Sequence, residues 1–208
     1  MTQSKTILIT GFEPFGDAAS NPSGEVARVL DDEQINGRTV VGRVLPVEFG
    51  RAKQQLRALI DEIRPELVLC LGVAASRPAI SLERVAVNLD DASIPDNAGQ
   101  QPIDQPVEES APTAYLTTLP VKAMFAGMQA AGYPTELSSS AGNYVCNHLF
   151  FALMHSLDSR ENVRGGFVHV PSLSTNLTQE RLTAAIALGA EIALATAVDV
   201  AISGGRID

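Results

Sequence analysis

Two thiols and three imidazoles are the residues of this chain best suited to nucleophilic chemistry, and their settings differ. Cys70 lies in the apolar run Glu66-Leu67-Val68-Leu69-Cys70-Leu71. A buried cysteine there acts as a small hydrophobe with a raised pKa. Cys146 comes shortly after the small, polar stretch Ser138-Ser139-Ser140-Ala141-Gly142-Asn143 and opens the amphipathic run Cys146–His155. A thiol at a helix start meets the positive end of the macrodipole and unpaired N–H groups. These favour the thiolate and can also hold an oxyanion. Taken alone, the setting fits a reactive thiol and a plain buried cysteine equally.

A cysteine nucleophile needs a base. His148 and His155 sit inside the helix that Cys146 opens, and His148 projects to a different side from the thiol, so both read as structural or surface residues. His169 ends the strand-like Gly166-Phe167-Val168-His169-Val170, where open α/β sheets gather their reactive groups. Glu83 lies in Leu82-Glu83-Arg84-Val85-Ala86-Val87, where a buried carboxylate is costly without a partner such as an imidazolium. Together Glu83, Cys146 and His169 describe a relay. Asp90, Asp91 and Asp96 read as turn and capping carboxylates rather than metal ligands, because no histidine stands in register with them. The chain has no GxSxG, Walker A, GxGxxG, HExxH or CxxC motif.

The elements that must position these groups alternate. Lys5–Thr10, Thr39–Leu45, Glu66–Leu71, Leu82–Val87 and Gly166–Val170 read as strands. Gly24–Leu30, Glu48–Ile63, Val121–Ala131, Cys146–Leu157 and Thr178–Ile202 read as helices, the second closed by Pro65. This order predicts an α/β domain with a central, mostly parallel sheet covered by helices on both faces. Two long irregular segments, Gly11–Ser23 and the proline- and acid-rich Asn88–Pro112, are long enough to suggest functional loops. No repeat or linker divides the chain, so residues 1–208 read as one domain.

Composition narrows the function. With 208 residues the chain can bury about 70% of its unfolded surface. A net charge of −9 argues against nucleic acid or an anionic membrane as partner. Two cysteines exclude a disulfide framework. The apolar stretch Leu182–Ile202 is broken by Glu191 and Asp199 and does not read as a membrane span, and no targeting segment is visible. A cytoplasmic location with reduced thiols is the expectation.

Several blocks go further. Thr10–Gly16 (TGFEPFG), Asn21–Ser23 (NPS), Leu82–Asp91 (LERVAVNLDD), Ile94–Asn97 (IPDN), Thr117–Met124 (TTLPVKAM), Ala141–His148 (AGNYVCNH) and Gly165–Leu173 (GGFVHVPSL) run through the whole chain. In these blocks the sequence resembles the pyroglutamyl peptidase I, or pyrrolidone-carboxylate peptidase, family of cysteine peptidases. The resemblance implies a triad of Cys146, His169 and Glu83, and removal of N-terminal pyroglutamate from peptides without metal or cofactor. It implies a three-layer α/β/α sandwich with a mostly parallel twisted sheet, commonly assembled as a homotetramer. It also implies substrate contacts at Phe12, Phe15, Ile94, Tyr144 and Val145.

The chain departs from the family pattern at four places. Val73 stands where Gln is frequent, Val47 where a hydroxyl residue is, Ser93 where Arg is, and Tyr144 where Phe is. The two valines make a drier pocket. Loss of a cation at Ser93 is expected to change the electrostatics around Glu83 or the oxyanion. Two other functions therefore remain open: a related thiol amidase with altered acyl specificity, and a non-catalytic small-molecule binding homologue.

Overall fold

The computed structural model describes residues 5–204, so the ends of the expected domain, 1–4 and 205–208, lie outside the described residues. The chain alternates as the pattern of apolar residues dictates. Strand β1 (Thr6–Phe12) leads through the first long loop to α1 (Pro22–Leu30). Asn21 caps that helix by accepting from Ser23 N, with proline at its first position. A tight hairpin follows, β2 (Gln34–Ile35) and β3 (Arg38–Leu45), turned at Asn36 and Gly37, both with positive φ.

Helix α2 (Arg51–Ile63) starts three residues later than expected, because Gly50 at φ 70° breaks the helical path. It ends in the left-handed Arg64 before Pro65. Strands β4 (Leu67–Val73) and β5 (Ile80–Glu83) precede a two-stranded ribbon, β6 (Val85–Val87) with β7 (Ala114–Leu116). Then come α3 (Val121–Ala130), β8 (Thr135–Ser138), α4 (Val145–Leu157), β9 (Arg164–Val170) and α5 (Gln179–Ala195).

The main sheet has seven strands in the order β2-β3-β1-β4-β9-β5-β8. The four strands β3, β1, β4 and β9 run parallel, and β5 and β8 pair parallel with each other but antiparallel to β9. Successive side chains alternate between the two faces. Ile7, Ile9, Leu69, Leu71, Val168 and Val170 pack under α1, α3 and α5. Leu8, Val68, Cys70 and Phe167 pack under α2 and α4. The result is the three-layer α/β/α sandwich with a mostly parallel sheet.

Two further elements differ from the sequence reading. The expected strand Leu82–Val87 is broken at Arg84. Glu83 ends β5 in the main sheet, whereas Val85–Val87 pairs with β7 in the ribbon lying on α4. The expected helix Thr178–Ile202 ends at Ala195. Thr196, Val198 and Val200 are β-branched and favour extended backbone. Asp199 is also taken up elsewhere, accepting from Lys122 N and Ala123 N at the exposed start of α3. The short strands β2, β7 and β8 have too few residues to show a periodicity.

Candidate active site

The first long loop and the Asn88–Pro112 segment meet at the carboxyl ends of β1, β3 and β4, and a small set of hydrogen bonds fixes them there. Glu13 Oε1 accepts from Val47 N and from Asn97 Nδ2. Buried Asp96 accepts from Phe49 N through Oδ2 and from Ala98 N and Gln100 N through Oδ1. The Tyr144 hydroxyl donates to Pro95 O at 2.9 Å. Burial and the Asp96 charge push that phenol up to about 12, so it stays a neutral donor. Asn147 Nδ2 donates to Val87 O and Leu89 O, while its Oδ1 accepts from Val87 N, pinning the start of the second loop. Asp90 and Asp96 thus have hydrogen-bonding roles, Asp90 with His148 Nδ1 at 2.7 Å.

Between these loops lies a cavity of about 330 Å³ lined mainly by apolar groups. Phe12, Phe15, Val47, Val73, Tyr144 and Val145 form its walls, and Cys146 stands at one side. Ile94, by contrast, is 48% exposed and is not part of that lining. Phe15 and Phe49 both pack on the Tyr144 ring, at 5.5 and 5.4 Å between centroids. Asn21 is polar but already committed, with Nδ2 on Glu13 O and Oδ1 on Ser23.

Cys146 is the second residue of α4, and Tyr144, the capping residue just before the helix, provides no side-chain cap. The first-turn N–H groups have no intrahelical acceptor and remain available to an anion. Its Sγ lies directly over Gly72. A Cβ built on Gly72 would come within 2.7 Å of Sγ and 2.8 Å of Phe167, so only glycine leaves room for the thiol. Gly72 is the β4 ladder partner of His169 on β9. The thiol therefore sits above the neighbouring strand position to the histidine.

His169 Nδ1 and Glu83 Oε1 are 2.7 Å apart, and both side chains are essentially buried. The same Oε1 accepts from Arg77 Nη1 at 2.6 Å. Arg77 is held in turn by Ser138 Oγ at 3.2 Å and Ser140 O at 2.7 Å. The cation at Glu83 is therefore Arg77, while Ser93 is exposed in the second loop. Sequence reasoning sought a partner for Glu83 among the imidazoles and a nearby cation only at position 93. The available signal was a second cation six residues before Glu83, within one short β4–β5 connection.

Of the two thiols, Cys70 behaves as expected and Cys146 does not. Burial pushes Cys146 up to about 12; Glu83 pushes the same way and Arg77 pulls it down. Desolvation thus opposes the thiolate that a helix N-terminus favours. Cys70, fully buried, is likewise pushed up to about 12 by burial, opposed by a contact with Thr10. The other histidines have other duties. His148 Nε2 accepts from Gly50 N at 3.1 Å, and His155 Nδ1 pairs with the Tyr115 hydroxyl at 2.8 Å.

An α/β sandwich with a thiol at a helix start, beside an imidazole–carboxylate pair, defines a class of cysteine-centred hydrolase folds. The chain belongs to the pyroglutamyl peptidase family, whose pattern it matches over residues 5–205. It is 44% identical to the pyrrolidone-carboxylate peptidase of Yersinia pestis (strain Pestoides F), covering 98% of this chain and 99% of the relative. Pyroglutamyl peptidase I from Bacillus amyloliquefaciens superposes with a TM-score of 0.92 at 34% identity, over 96% of this chain and 100% of that one. The pyrrolidone carboxyl peptidase from Thermococcus litoralis gives 0.89 at 40% identity, over 92% and 94%.

Proposed function

We propose that the whole chain is one catalytic domain that hydrolyses the amide bond after an N-terminal pyroglutamyl residue, with Cys146 as nucleophile, His169 as acid–base and Glu83 as its orienting carboxylate. The observation that carries this reading is the Glu83–His169 pair at 2.7 Å, beside a thiol that opens onto an apolar cavity. Family membership supports the reaction class.

With Glu83 on Nδ1, the lone pair of His169 Nε2 is the one left to take a proton. The thiol proton passes to Nε2 as Sγ attacks the acyl carbon. First-turn N–H groups of α4 face the developing oxyanion. The Sγ–C bond forms, the C–N bond breaks, and His169 returns the proton to the leaving amine. Water then adds to the thioester with His169 as base, the Sγ–C bond breaks, and pyroglutamate leaves with the thiol restored.

The lactam suits the cavity because it carries no charge. An ordinary N-terminal ammonium would lose its hydration against Phe12, Phe15, Val47 and Val145. Phe12, Phe15, Tyr144 and Val145 are the proposed substrate contacts, with Ile94 at the exposed flank. The substrates are peptides bearing N-terminal pyroglutamate, and the reaction draws on no metal or cofactor. We assign a reducing, cytoplasmic setting, consistent with two free thiols, and assembly as a homo-oligomer, a tetramer by family likeness. No described helix is long and apolar enough to cross a membrane.

Turnover of pyroglutamyl-aminomethylcoumarin by wild type and its loss in Cys146→Ala test the reading; full activity in Cys146→Ala overturns it. A second reading, a thiol amidase with shifted acyl preference, is favoured by Val47 and Val73 in the cavity wall. It predicts that prolyl or other acyl amides turn over faster than the pyroglutamyl amide. Tight acyl-ligand binding with no turnover of any amide would instead indicate a binding homologue.

A further inference from the structure

Glu83 has an electrostatic problem that His169 alone does not solve. Its side chain is fully buried, Oε2 has no hydrogen-bond partner, and Oε1 receives everything the site offers. A buried carboxylate facing only a neutral imidazole would lower its energy by taking up a proton. The histidine would then have to accept at Nδ1, and its ring proton would move to Nε2. That tautomer cannot receive the thiol proton.

We infer that Arg77 is the positioning residue that keeps Glu83 ionised and so fixes His169 in the tautomer with its proton on Nδ1. The inference rests on the proposed roles of Cys146, His169 and Glu83. Arg77 reaches Oε1 at 2.6 Å, on the oxygen that faces His169, and its guanidinium is fixed from two further directions by Ser138 Oγ and Ser140 O. Those anchors lie in the segment that runs from β8 into α4. One side chain thus ties the β4–β5 connection to the approach to the nucleophile. Arg77 touches neither the cavity lining nor the thiol in the described contacts, so it acts through Glu83.

The other titratable groups around the dyad do not replace it. From β8, Glu136 holds Ser81 Oγ, two residues before Glu83. From α4 comes the Cys146 thiol, and from β4 the buried Cys70 thiol; neither is a cation. Arg77 is the cation that contacts Glu83 among the described residues. Its charge also favours the Cys146 thiolate, against Glu83.

The test compares kcat, KM and the kcat–pH profile of wild type, Arg77→Gln and Arg77→Lys on pyroglutamyl-aminomethylcoumarin, with thermal melting as a fold control. Arg77→Gln is expected to lower kcat by about thirtyfold or more with KM within about twofold, as for loss of an interaction that serves the transition state. Arg77→Gln removes the charge that favours the carboxylate form of Glu83 over its neutral acid. The acidic limb of the profile therefore moves to higher pH, by about one unit. Arg77→Lys restores charge without the fork and recovers most of the limb's position but only part of kcat. A melting temperature that falls with an unmoved pH profile, or a loss carried by KM, overturns the inference. If wild type does not turn over the amide, the proposed function fails instead. Arg77 is then tested without substrate by the pH dependence of Cys146 alkylation with iodoacetamide. Its midpoint should move to higher pH in Arg77→Gln, and an unchanged midpoint overturns the inference.

Discussion

Cys70 and Cys146 sit on the same side of the sheet, in the layer covered by α2 and α4, and burial raises both thiols to about 12. Proton affinity therefore does not distinguish them. What differs is who can receive the proton and what can reach the sulfur. Cys70 is fully buried within β4, among Leu8, Val68 and Phe167 in one apolar cluster. Cys146 is partly exposed at the wall of a cavity, over the one residue of β4 that lacks a side chain, with the Glu83–His169 pair beside it. On the proposed mechanism, reactivity in this pair comes from access and an oriented base.

Four substitutions break or sharpen that contrast. Cys146→Ala should have the largest effect, lowering turnover of pyroglutamyl-aminomethylcoumarin by about a thousandfold or more with unchanged far-UV circular dichroism. His169→Gln removes the proposed proton acceptor and should cost on the order of a hundred- to ten-thousandfold in kcat in the same assay. Gly72→Ala drives a Cβ to 2.7 Å from Sγ and 2.8 Å from Phe167. Displacing the thiol by a fraction of an ångström to an ångström should cost about a hundredfold in kcat/KM. Iodoacetamide labelling would show Cys146 still present but mispositioned.

Cys70→Ala should have the smallest effect, leaving kcat/KM within about twofold of wild type. Its signature is in stability instead. A thiol raised in the fold from 9.0 to about 12 contributes stability that is complete below about pH 9 and is lost as pH rises toward 12. Denaturant unfolding of Cys70→Ala should therefore be less sensitive to pH between 9 and 12 than that of wild type.

The layering was legible from sequence because strands buried on both faces read as continuous apolar runs and helices as a 3.6-residue period. Leu67–Leu71 and the helix after Cys146 show this most clearly. Three of the named site residues, Glu83, Cys146 and His169, converge because each sits at the end of a regular element. Two kinds of feature were not legible. The break at Arg84 separates two strands of one apolar run by a change of sheet, and no local periodicity records which sheet a strand joins. Arg77 and Gly72 gain meaning only through partners distant in the chain or across the ladder: Ser138 and Ser140 for one, Cys146 for the other. The expectation of a thiolate at Cys146 weighed the helix dipole without the desolvation that only packing reveals.

The contrast between the two thiols is tested most directly by locating a covalent mark. Wild type inactivated with the chloromethyl ketone of pyroglutamate would be digested and its peptides mapped by mass spectrometry. The proposed mechanism predicts one label per chain, on Cys146, appearing in step with loss of activity, with Cys70 unmodified. Label on Cys70 accompanying inactivation, or inactivation with Cys146 unmodified, would contradict it.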